Sequence, residues 1–209
     1  MYKRQFSRGV ALGLDGRLED VIHRYDRGNN SVARIPTQAC EINNGIVEPR
    51  PLDVSSDGRY LLYSDGRCLQ TYDFTNQLNT EILATHGIFQ HEFKSGQISD
   101  TGRIVTASSR LLDNFLIYNL ETGSLVLGGD ISFGASVRDT QNKYMSNDGR
   151  FVLFHAFPYR DYALYDTVTG ELGLLKDDDG SPLFLIHNLS GNGKILLYHD
   201  ASTLTSKGR

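Results

Sequence analysis

Apolar residues in this chain come in short runs, each preceded by a polar turn and, in all but the last copy, followed by a tyrosine. The runs at 60–63, 104–107, 151–154 and 195–198 are near-continuous and rich in β-branched and aromatic residues. Runs this short and unbroken predict strands covered on both faces. The turns before them read Ser55-Ser56-Asp57-Gly58-Arg59, Ser99-Asp100-Thr101-Gly102-Arg103, Ser146-Asn147-Asp148-Gly149-Arg150 and Ser190-Gly191-Asn192-Gly193-Lys194. Gly58, Gly102, Gly149 and Gly193 supply the positive φ that a tight hairpin needs. The Asp or Asn before the glycine is expected to cap its own turn, and the following Arg or Lys to pair with a neighbouring acid. Downstream stands an aromatic-acid or aromatic-amide pair: Tyr25-Asp26, Tyr72-Asp73, Tyr118-Asn119 and Tyr165-Asp166.

The pattern has a fixed period. The four turn glycines are 44, 47 and 44 residues apart, and the four tyrosines 47, 46 and 47 apart. Within a copy the glycine precedes the tyrosine by 14, 16 and 16 residues, and counting back 16 from Tyr25 reaches Gly9, so a first, degenerate copy precedes the others. Each copy divides into four strands, here A to D. Strand A ends at the repeated Ser, B is the apolar run, C carries the tyrosine, and D follows a second polar turn. No apolar stripe at helical spacing is sustained, which excludes a helical repeat of similar length. The prediction is all-β: a β-propeller of four-stranded antiparallel blades, four to five in number, forming an incomplete ring. The blades fall at about 6–36, 50–84, 95–128, 143–176 and 183–209, the last incomplete. A closed ring of four blades, its terminal strands completing the first blade, is the rival arrangement. The opening Met1-Tyr2-Lys3-Arg4-Gln5 would be encoded by GTG TAT AAG AGA CAG, a string resembling the end of a transposase sequencing adapter. On that reading residues 1–5 are adapter-derived and the biological sequence starts near Phe6.

Composition narrows the function without naming it. A net charge of −4, with basic residues spread among turns, gives no stripe for nucleic acid. No apolar run approaches the roughly 18 residues of a membrane-spanning helix. Cys40 and Cys68 are the only cysteines, belong to no ligand motif, and are expected to be free thiols, a disulfide being the alternative. His86 and His91 lack a third ligand, and Asp177-Asp178-Asp179-Gly180 lacks the alternating oxygens of a calcium loop. No nucleophile elbow or phosphate-cradling loop is present, so no catalytic residue, metal or cofactor is expected.

Recognition must therefore come from positions that break the repeat. Five residues before each turn glycine, on the inner strand, stand Asp53, Gln97, Tyr144 and Asn188, for which lining the central channel as water-bonded polar groups is the alternative to recognition. Period-two alternation sets them opposite the apolar Val54, Ile98, Met145 and Leu189. The loop 157–162 offers Tyr159, Arg160 and Tyr162, residue types enriched at protein hot spots. Packing aromatics in an ordinary hairpin are the alternative for that loop.

The Ser-x-Asp-Gly-Arg turn, the aliphatic strand and the Tyr-Asp-x-x-Thr-Gly hairpin resemble the WD40-like repeat of TolB-type bacterial β-propellers. The resemblance covers nearly the whole chain. The proline and tryptophan often found around that family's turn are absent. The resemblance implies a non-catalytic scaffold binding a protein or peptide, in the periplasm or outside the cell. The runner-up reading is the gating propeller of a prolyl-oligopeptidase-type serine peptidase, which uses similar repeats and whose catalytic domain would lie beyond Arg209.

Overall fold

The computed structural model describes residues 5–12, 18–26, 28–38, 49–65, 68–84, 93–109, 115–127, 144–156, 161–176, 179–181 and 183–199. Among these the secondary structure is strand and turn, and no helix is long and apolar enough to cross a membrane. The strands are β1 (Gln5–Leu12), β2 (Leu18–Asp26), β3 (Ser31–Ile35), β4 (Pro49–Val54), β5 (Tyr60–Asp65), β6 (Cys68–Asp73), β7 (Leu78–Ala84), β8 (Phe93–Ile98) and β9 (Ile104–Ser109). They continue with β10 (Phe115–Asn119), β11 (Leu125–Leu127), β12 (Tyr144–Met145), β13 (Phe151–Ala156), β14 (Asp161–Asp166), β15 (Leu172–Leu174), β16 (Phe184–Leu189) and β17 (Leu196–His199).

Each sheet is a meander in chain order: β1-β2-β3, then β4 to β7, β8 to β11, β12 to β15, and β16-β17. The three middle sheets have four strands, the unit of a propeller blade. Among the described residues β16 and β17 pair with no strand of the first sheet. Two compact units divide the chain at the turn after β8, with residues 109–111 returning to the first unit.

In the first unit the middle strands carry the core. Leu61, Leu62 and Tyr63 of β5 are all buried, as are Leu69 and Tyr72 of β6. Burial on consecutive residues means that both faces are covered, which is what the unbroken apolar runs foretell. Ile22 and Ile35 of the first sheet pack against Leu61, Tyr63 and Tyr72 of the second. The outer strand β3 is a sheet edge with Val32 exposed.

The second unit repeats the scheme. Ile104, Phe115 and Ile117 pack against Val152, Phe154 and Ala163, with the Phe115 and Phe154 ring centroids 5.1 Å apart. Leu153 and Tyr162 pack in turn against Leu183, Ile186 and Leu189. The A–B turns also touch one another directly. The Asp100 N–H donates to the Asn147 carbonyl at 2.7 Å, and the Asn147 N–H to the Gly191 carbonyl at 2.6 Å. Backbone therefore meets backbone from turn to turn, and a Cβ on Gly191 would stand 2.7 Å from Asn147 Oδ1.

Candidate functional site

The polar side chains that recur in every blade are consumed by the blade itself. The buried Ser146 Oγ accepts the Phe151 N–H at 2.9 Å and donates to Asp148 Oδ1 at 2.6 Å. Asp148 Oδ1 also accepts the Arg150 N–H at 3.0 Å, closing the turn. Ser55, Asp57 and Arg59 do the same in the second blade, and Ser190, Asn192 and Lys194 in the last. Arg150 then reaches strand C, where Nε and a terminal nitrogen donate to Asp166 Oδ2 at 3.0 and 2.9 Å. Arg59 makes the matching pair with Asp73. The hydrogen bond from the arginine, then the turn N–H groups, hold the Asp73 and Asp166 carboxyls below the ordinary carboxylate value.

The inner-strand candidates fall into two pairs. In the first unit Asp53 is half-buried, and its Oδ2 accepts the Ile98 N–H of β8 at 2.9 Å. Gln97, one residue earlier on β8, has a buried Oε1 without a partner among the described residues. In the second unit Tyr144 is half-buried against the Leu153 cluster, while Asn188 is exposed and its Oδ1 accepts the adjacent Leu189 N–H at 2.9 Å. Tyr162 is placed in the core rather than on the surface: it is 8% exposed and packs with Leu183 and Ile186. Its ring takes the packing role that was the alternative for that loop. Tyr159 and Arg160 lie outside the described residues.

Cys68 is disulfide-bonded, which corrects the expectation of two free thiols. It sits buried at the start of β6, and the chain's other cysteine, Cys40, lies outside the described residues. Spacing could not reveal this, because the bond depends on how the chain enters the second sheet. Among the described residues no three His, Cys, Asp or Glu side chains gather as a metal site.

One concave site was not apparent from the sequence. A pocket of about 220 Å³ lies between the first two sheets, lined by Arg24, Ala33, Arg34, Ile35, Pro36, Tyr72, Phe74 and Gln77. Its wall is fixed by a buried polar hub. The Tyr63 hydroxyl faces Gln70 Oε1 at 2.6 Å and Asn79 Oδ1 at 2.7 Å. Gln70 Nε2 donates to the Gln38 carbonyl at 3.1 Å and Asn79 Nδ2 to the Pro36 carbonyl at 2.8 Å. Burial pushes the Tyr63 phenol far above its ordinary range, so it stays neutral and can donate. A signal for this site does exist in the sequence. Five residues after the repeated tyrosine, two copies carry Gly123 and Gly170 at positive φ, whereas Gln77 holds φ 53° there.

Solved structures of propellers share the fold. The β-propeller domain of Cps50 (Swd1) from Myceliophteria thermophila matches with a TM-score of 0.53 at 14% identity, over 94% of this chain and 63% of that one. The acylaminoacyl peptidase of Pyrococcus horikoshii matches with a TM-score of 0.53 at 12% identity, over 90% of this chain and 32% of that one. TolB from Acinetobacter baumannii matches with a TM-score of 0.49 at 16% identity, over 93% of this chain and 46% of that one. The chain thus spans less than two thirds of each of these proteins. No family model matches the sequence, and no curated protein does. The class is set by the fold: these are four-stranded antiparallel blades of a β-propeller.

Proposed function

We propose that this chain is the propeller portion of a non-catalytic scaffold that binds a protein or peptide outside the cytoplasm. One observation carries the reading. At a single repeat position the frame is constant while the side chain changes from Asp53 to Gln97, Tyr144 and Asn188. Residues that build the blade recur, so a position that varies inside a constant frame is free to serve recognition. Gln97 adds a buried acceptor with no partner among the described residues, a group that a bound N–H would satisfy.

Selection of binders from a random peptide display library on the intact chain tests this. Binding of the selected peptides is expected to weaken at least roughly tenfold on Gln97→Ala or Asn188→Ala, the size expected of a hot spot. Val168→Ser, on an exposed outer turn, should leave it unchanged. Peptides indifferent to both inner-strand changes would overturn the reading.

The disulfide at Cys68 supports an extracytoplasmic location, because such bonds persist in oxidising compartments. Alkylation of the denatured chain, purified from its native compartment without reductant, is expected to label neither cysteine. Quantitative labelling of both would count against that location. A second reading draws on the fold likeness to the Pyrococcus peptidase: a gating propeller ahead of a serine peptidase domain. The complete gene separates the two through the presence of a Gly-x-Ser-x-Gly elbow followed by Asp and His.

A further inference from the structure

Among the described residues Arg24 has no carboxylate partner, and its Nε is buried without a hydrogen bond. The guanidinium carbon lies 4.8 Å from the centre of the Phe74 ring, so one face of the cation is covered. Hydrogen bonds to a guanidinium lie in its plane, and stacking leaves that edge available. Arg34, on the neighbouring strand β3, lines the same pocket, and among the described lining residues there is no Asp or Glu. The remaining wall is Ile35, Pro36, Tyr72 and Phe74, with the two rings edge to face at 5.0 Å. Gln77 also lines the pocket, at the turn position that is left-handed in every copy, as at Asn30, Gly123 and Gly170.

We infer that this pocket binds a carboxylate carried by a peptide. The planar fork of Arg24, through Nε–H and a terminal N–H, takes the two oxygens side by side. The apolar wall holds the carbon chain behind the carboxylate. Cation and apolar wall together select a carboxylate on a carbon skeleton over a free inorganic anion. The site is separate from the inner-strand positions and stands or falls independently of them.

The test is an NMR titration of the full 209-residue chain, observing the Arg24 Nε–H resonance. The probes are N-acetyl-glycyl-glutamate amide, which carries a side-chain carboxylate, and N-acetyl-glycyl-phenylalanine, which carries a terminal one. N-acetyl-glycyl-glutamine amide and inorganic phosphate are the comparators. Saturable shifts of the Arg24 signal with either carboxylate peptide, absent with the glutamine peptide, are expected, and the stronger of the two identifies the source. Equal response to the neutral peptide, stronger response to phosphate, or no response to either acid overturns the inference. Arg24→Lys keeps the charge and loses the fork, so affinity should fall roughly tenfold. Undiminished affinity in that variant, once its spectrum shows it folded, would also overturn it.

Discussion

Gly149→Ala is expected to destabilise the chain by about 3 kcal/mol, against about 1 kcal/mol for Gly170→Ala. Both glycines hold positive φ, 79° and 73°, so both substitutions carry the same left-handed strain. The difference is space. A Cβ on Gly149 would stand 2.7 Å from Cβ and Cγ1 of Ile104 and 2.9 Å from Cβ of Ser99, whereas the nearest atom to one on Gly170 is the Tyr165 hydroxyl at 3.9 Å. Ile104 and Ser99 are buried in the preceding blade, and Cβ atoms move only with their backbone. Overpacking there costs a further 1–3 kcal/mol or so. In a domain of this size the Gly149 variant should melt roughly 6–12 °C lower and the Gly170 variant roughly 2–4 °C lower. Asparagine separates the two causes, because it tolerates positive φ but still carries a Cβ. Gly170→Asn should be close to neutral while Gly149→Asn keeps most of its loss. Equal losses at the two sites by urea denaturation would show that φ alone sets the requirement.

That prediction also marks what the sequence conveys. The blades are legible because each strand buries its own apolar run, so local pattern and tertiary fate coincide. Gly149 is legible as a turn former, but its contact with Ile104 and Ser99 joins residues some 45 positions apart. The Gly193 turn makes the same demand on the Phe151 ring of the blade before it. The period of the repeat therefore encodes two constraints at one glycine, and only the backbone one can be read locally. The pocket illustrates the limit more sharply. Arg24, Ile35 and Phe74 come from β2, β3 and the turn after β6, and nothing in their spacing brings them together. Tyr162 shows another side of that limit. An aromatic at the foot of a loop reads as a surface residue until the sheet register sets it opposite His155, with its ring against Leu183. Cys68 is the same case in covalent form, since two isolated cysteines give no spacing to interpret.

Asp166→Ala is expected to cost about 2–3 kcal/mol, and Asp166→Asn about 1 kcal/mol. The carboxylate serves two structures at once. Its Oδ2 accepts two N–H groups of Arg150, and its Oδ1 accepts the Val168 and Thr169 N–H groups at 2.9 and 3.3 Å. Alanine removes both functions. Asparagine keeps the turn and loses the charge, and the third blade already lives with that arrangement. There Asn119 Oδ1 accepts the Glu121 and Thr122 N–H groups at 2.9 and 3.1 Å. The arginine of that copy, Arg103, turns instead to Glu121 at 3.5 Å, with both side chains exposed and therefore weakly coupled. The pH dependence gives the sharper measurement. Arg150 holds the folded-state carboxyl of Asp166 below its ordinary value of 3.8. A lowered folded value adds stability that is complete above the unfolded value and disappears as pH falls through the folded one. The gap between wild type and Asp166→Asn should thus be constant at pH values well above 3.8 and narrow as pH falls below it. Urea denaturation at several pH values reads this directly. A gap that persists unchanged to pH 2 would mean that the charge of Asp166 contributes nothing, and that the turn bonds alone account for its place in the repeat.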